Sequence, residues 1–146
     1  MKKRGILHPD LSRALATVGH YDIIVVADAG LALPNDSRRV DLAIVDGIPS
    51  VSQLLDILLN EVAVEQVSLA SELREWDPQV LDEIEVRLGG RRPSFEAHDD
   101  LKGRWLREAK FFIRSGQCSA YASVGLTCDV SYRDRALRRR AAVEAG

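Results

Sequence analysis

The chain has 146 residues, 46% hydrophobic and 29% charged, a balance that suits one soluble globular domain and excludes a disordered or membrane-embedded chain. Twenty basic residues against twenty-two acidic ones leave a formal net charge of −2, so neither nucleic acid nor an anionic membrane is expected as a partner. No apolar run nears the roughly 20 residues that cross a bilayer, and "MKKRGILHPD" lacks the apolar core of a secretory leader, so the expected compartment is the cytoplasm.

In chain order, "HPDLSRALATVG" sets Leu11, Ala14, Leu15 and Val18 at helical spacing, with Pro9 suited to the first turn and Gly19 to the left-handed position past the end. "DIIVVADA" is a continuous apolar run rich in β-branched residues, the pattern of a strand buried on both faces. "GLALPNDSRR" carries turn residues, and "VDLAIVDG" predicts a second strand closed by Gly47. "IPSVSQLLDILLNEV" predicts a helix capped by Ser50, with Val51, Leu54, Leu55, Leu58 and Val62 inward. "VEQVSLA" predicts a third strand, and "WDPQVLDEIEVRLGG" a helix capped by Asp77, opened by Pro78 and stopped by Gly89 and Gly90. A short "PSFEA" strand, a helix over "HDDLKGRWLREAK" and strands over "FFIRSG" and "YASVGLTC" follow. Alternating strands and helices predict an α/β fold: a single domain, its sheet largely parallel, with helices on both faces.

Ligands of open α/β sheets sit outside the C-terminal ends of the strands. Asp28 falls there, before Ala29 and Gly30, and either faces a crevice or caps its own turn. His20 follows the turn at Gly19 and is either a proton-transfer group or a cap on the preceding helix. His98 opens the helix that carries Lys102 one turn on, and exposed helical lysines are usually only solvated. "IRSGQCSAYAS" could present a phenol and backbone groups to a polar ligand, or simply pack Tyr121 in a strand. Cys118 and Cys128 are too few for a disulfide framework and lack zinc spacing, so both are expected as small packing residues; the three histidines make no metal motif. There is no GxGxxG, no GxxxxGK[ST] and no GxSxG, which removes dinucleotide, phosphate-loop and hydrolase readings. An aspartyl phosphotransferase would need a second acid where Gly30 stands, and what remains is chemistry by protons alone.

"MKKRGILHPDLSRALATVGHYD", "VADAGLALP", "VDLAIVDGIPS", "NEVAVEQV" and "HDDLKGRW…AKFFIRSGQCSAYAS", taken together and in order, resemble the D-ribose pyranase family, relatives of the L-fucose mutarotases. "ADAGL" and "GIPS" resemble the ribose branch more than the fucose branch. The resemblance spans residues 1–130 as a ribose pyranase-like domain and leaves 131–146 as a basic, Ala/Arg-rich C-terminal tail. It implies a cofactor-free, metal-free isomerase that interconverts the pyranose and furanose forms of β-D-ribose, assembled as a ring of subunits, a homodecamer. It implies that His20 is the proton donor, that Asp28 and His98 bind the sugar, and that Tyr121, Ala122 and Ser123 form a binding segment reaching in from a neighbouring subunit. That segment usually ends in Asn; Ser123 is shorter and lacks the amide. His20 and Asp28 are separated by a strand of roughly 23 Å when fully extended, so either turns bring them together or two chains share the site. A non-catalytic sugar-binding module and an L-fucose-type mutarotase are the rival readings.

Overall fold

The computed structural model describes residues 1–36 and 38–146. A six-stranded sheet runs in the order β2-β5-β1-β6-β3-β4, built from β1 (Ile23–Ala27), β2 (Arg39–Asp41), β3 (Val64–Ala70), β4 (Ser94–Glu96), β5 (Ala109–Arg114) and β6 (Val124–Cys128). β6 is antiparallel to both its neighbours, β1 and β3, while the other pairings are parallel, so the sheet is mixed and mostly parallel.

Side chains alternate across β1 as strand geometry requires. Ile24 and Val26 face a large core built with α1 (Pro9–Leu15), α2 (Val51–Glu61) and α4 (Pro78–Leu88); Val25 faces a smaller one with Leu101 and Trp105 of α5 (His98–Glu108). Both faces are covered, as the unbroken apolar run of β1 anticipates. Gly125 makes the second layer possible: a Cβ there would stand 2.6 Å from Nε1 of the buried Trp105, so only glycine lets that indole lie flat on β6.

The caps form where the sequence places them. Ser50 accepts from the Gln53 N–H while the Gln53 side chain accepts from the Ser50 N–H, a complete capping box. Asp77 caps α4, which ends on left-handed Gly89. α1 stops at Leu15, earlier than expected, and Gly19 is not its left-handed cap; the Gly19 N–H instead donates to the Asp22 carboxylate. The strand expected over residues 40–47 shrinks to Arg39–Asp41, because β2 is an edge strand whose partner β5 ends at Arg114. Beyond it, Val45 and Ile48 bridge one another, and the Gly47 N–H donates to the Gly116 carbonyl. One element escaped the sequence reading, the four-residue α3 (Leu73–Trp76). The tail forms α6 (Arg133–Ala145), exposed along its length. No helix among the described residues is long and apolar enough to cross a membrane.

Candidate functional site

At the C-terminal end of β1 the chain turns from Ala27 into Asp28. The turn is pinned by the segment that follows β5: the Ser115 N–H and Oγ–H both donate to the Ala27 carbonyl, and the Ala29 N–H donates to the Gln117 carbonyl. Asp28 is 7% exposed and held at both ends. Its backbone N–H donates to Ser123 Oγ at 2.9 Å, the Ser123 hydroxyl donates back to Oδ2 at 2.6 Å, and Oδ1 accepts from the Gly30 N–H at 3.1 Å. The capping and crevice readings of Asp28 are thus compatible: it caps its own turn and also lines a cavity of 670 Å³, within the range of small-molecule sites.

Ala29 to Ala32, His98, Lys102 and Cys118 to Tyr121 line the rest. Lys102, the weakest candidate on sequence, stands in this wall. Cys118 does too; it is exposed rather than packed, and the Asp46 side chain, burial and the Asp46 charge raise its thiol pKa above the ordinary value. Cys128 is the packed one, and burial pushes its thiol up to about 11.

His98 is fixed through its backbone, whose N–H donates to both Glu72 carboxylate oxygens at 2.9 and 3.2 Å. Its Nδ1 is buried without a hydrogen-bond partner among the described residues, an orphaned polar atom on a residue that lines the cavity. Tyr121 packs edge-on to His98 at 5.0 Å and to Trp76 of α3 at 5.7 Å. It lies in the turn before β6, not in the strand, with φ of 65°, a left-handed conformation uncommon for a bulky residue. Backbone strain of this kind collects at functional sites. Glu72 and Trp76 were missed by sequence reading because they belong to a single helical turn with no periodic pattern.

Ala122 and Ser123 are buried behind the cavity wall. Within the chain, Ser123 is bonded to Asp28 and Tyr121 packs on His98, which ties the 121–123 segment to the same cavity as those two residues. His20 is the residue that stands apart. It precedes β1 by the other end, beside a separate cavity of 420 Å³ with Asp129 and Tyr132. It caps no helix, since α1 ends at Leu15; its Nε2 lies 3.3 Å from Glu65 and 3.6 Å from Asp129. Five residues of ordered strand, roughly 17 Å, separate the two ends. The turns do not bring His20 to Asp28 within one chain.

The family model described as the RbsD / FucU transport protein family matches residues 1–131. The chain belongs to this family. Family members with similar sequences include the D-ribose pyranase of Geobacillus thermodenitrificans, 39% identical over 90% of this chain and 99% of that one. The D-ribose pyranase of Lactiplantibacillus plantarum is 36% identical over 90% of this chain and all of that one. Among solved structures, Bacillus subtilis RbsD complexed with D-ribose superposes with a TM-score of 0.82 at 34% identity, covering 89% of this chain and 98% of that one. The fucose mutarotase of Streptococcus pneumoniae, in complex with L-fucose, shares the family's fold with a TM-score of 0.73 at 21% identity, over 85% and 94% of the two chains.

Proposed function

We propose that this chain is a D-ribose pyranase, an isomerase that interconverts β-D-ribopyranose and β-D-ribofuranose by acid–base chemistry. The observation that carries this is near full-length similarity to D-ribose pyranases and to a ribose-bound structure, at 34–39% identity, well above the likeness to the fucose mutarotase. The cavity is consistent with it. A carboxylate, an imidazole, an ammonium and a phenol converge on a space of 670 Å³, suited to a small polyol.

The reaction changes no oxidation state and moves only protons, so acid–base groups suffice. His20 donates a proton to the ring oxygen as the C1–O5 bond breaks, and the anomeric hydroxyl gives its own proton to solvent, leaving the open aldehyde. The 4-hydroxyl then adds to C1 and gives its proton to the imidazole, while solvent returns a proton to the carbonyl oxygen, and the five-membered ring is closed. General acid–base catalysis of this kind contributes roughly 10²- to 10⁴-fold. Asp28, immobilised by Ser123, accepts from a sugar hydroxyl; His98 and Lys102 bond others, and Tyr121 offers its ring to the apolar face of the sugar.

Because His20 and this cavity lie at opposite ends of β1, the reading includes a site shared between subunits, His20 of one chain completing the cavity of the next. Assembly into a ring, a homodecamer, supplies that neighbour, and a cytoplasmic location belongs to the same proposal. The test is magnetisation-transfer NMR on D-ribose with catalytic amounts of protein. Fast pyranose–furanose exchange, lost in His20→Ala, is the expected result. No acceleration would leave a sugar-binding module, and faster exchange with L-fucose than with ribose would make the chain a fucose-type mutarotase.

A further inference from the structure

His20 has neighbours that no part of the sugar cavity supplies. Glu65 Oε2 lies 3.3 Å and Asp129 Oδ1 3.6 Å from its Nε2, and Arg133 Nη2 lies 2.8 Å from Asp129, 3.7 Å from Glu65 and 3.4 Å from Nε2. Four elements converge here. Tyr21, left-handed at φ 68°, stacks on the His20 ring at 3.7 Å and 17°. Glu65 sits at the irregularity in β3 where pairing with β6 skips from Val64 to Gln66, and such bulges re-aim a side chain. Asp129 follows the last residue of β6, and Arg133 opens α6 beyond the family match, which ends at residue 131.

We propose that Glu65 and Asp129 are positioning residues for His20, and that Arg133, contributed by the C-terminal tail, holds their carboxylates in place. The inference rests on the reading of His20 as proton donor. Among the described residues, all three polar contacts of the ring, with Glu65, Asp129 and Arg133, fall on Nε2. A carboxylate only accepts, so Glu65 takes the Nε2–H and leaves Nδ1 as the atom that exchanges a proton with sugar. A guanidinium only donates, so Arg133 offers nothing to that Nε2–H; its short contact is with Asp129. When the imidazole carries its extra proton, two positive and two negative charges face one another and sum to zero. The group is the arrangement of a base oriented by a carboxylate, with the carboxylate itself secured by a cation.

The test is steady-state exchange on the full-length protein, separating kcat from KM. Glu65→Gln keeps the size of the side chain and removes its charge; kcat is expected to fall by on the order of 10²-fold at unchanged KM and unchanged melting temperature. Arg133→Ala is expected to lower kcat less, and Arg133→Lys, which keeps the charge, to restore it. If Glu65→Gln fails to fold, Asp129→Asn with the Arg133 pair decides by the same kcat and KM split. Full kcat in Glu65→Gln and Arg133→Ala, with His20→Ala inactive, would overturn this inference alone. Wild-type exchange in His20→Ala would instead overturn the reading it rests on.

Discussion

Ser123→Ala removes one oxygen atom from the interior and tests how Asp28 is held. The hydroxyl is buried, donates to Asp28 Oδ2 at 2.6 Å and accepts from the Asp28 N–H at 2.9 Å. A neutral bond of this kind contributes about 1 kcal/mol and one to a charged group about 1.5–3, so the variant should lose about 2–4 kcal/mol of stability. For a chain of this length that lowers the melting temperature by roughly 5–15 °C. The carboxylate, no longer clamped, should also bind sugar less well, with KM raised on the order of tenfold, the equivalent of ~1.4 kcal/mol. Urea denaturation gives the first quantity and ribose exchange kinetics the second; Ser123→Thr, which keeps the hydroxyl, separates hydrogen bonding from packing. A stability loss under about 0.5 kcal/mol with unchanged KM would refute the argument that Ser123 immobilises Asp28.

Three further outcomes are expected. Gly125→Ala should cost about 1–3 kcal/mol in urea denaturation, since its Cβ would meet the buried Trp105 indole at 2.6 Å. Burial disfavours the charged form of Asp22, but the Gly19 N–H and Lys110 outweigh it and hold the carboxyl below its ordinary value. A depressed folded pKa means that this stability is complete above the unfolded value near ~3.9 and is lost as pH falls through the folded one. Asp22→Asn should therefore be less stable than wild type at pH 7 and converge with it under acid, as measured by denaturation against pH. At pH 8 iodoacetamide should alkylate Cys118, slowly for a raised thiol and more slowly still with ribose bound, while Cys128, near 11 and buried, stays unmodified by mass spectrometry.

The elements that could be read in advance were those whose signals are local. The apolar run of β1 announces a strand covered on both faces, and Ser50, Asp77 and Gly89 announce helix ends through their own backbone chemistry. The edge strand β2 was overestimated because its length is set by a partner, β5, far along the chain. β6 reads like any other apolar strand, and its antiparallel direction is a property of the connections rather than of its residues. The site divides the same way. Asp28 is placed by its position after a strand, whereas Glu72, Trp76, Glu65 and Arg133 acquire meaning only when distant segments meet, and the roles of His20 and His98 were suggested by family resemblance rather than by pattern. Left-handed Tyr21 and Tyr121 leave no mark in a one-dimensional pattern, since nothing in a tyrosine announces a positive φ.

The most direct test of the account is subunit complementation between His20→Ala and Asp28→Asn, each inactive by ribose exchange, unfolded together and refolded as a mixture. If His20 of one chain completes the cavity of the next, random reassembly of equal amounts gives intact pairs at about one quarter of the sites, and exchange returns to about a quarter of the wild-type rate. A mixture as inactive as its parents, with mixed oligomers demonstrated by mass, would show that His20 and Asp28 act within one chain and would contradict the shared site.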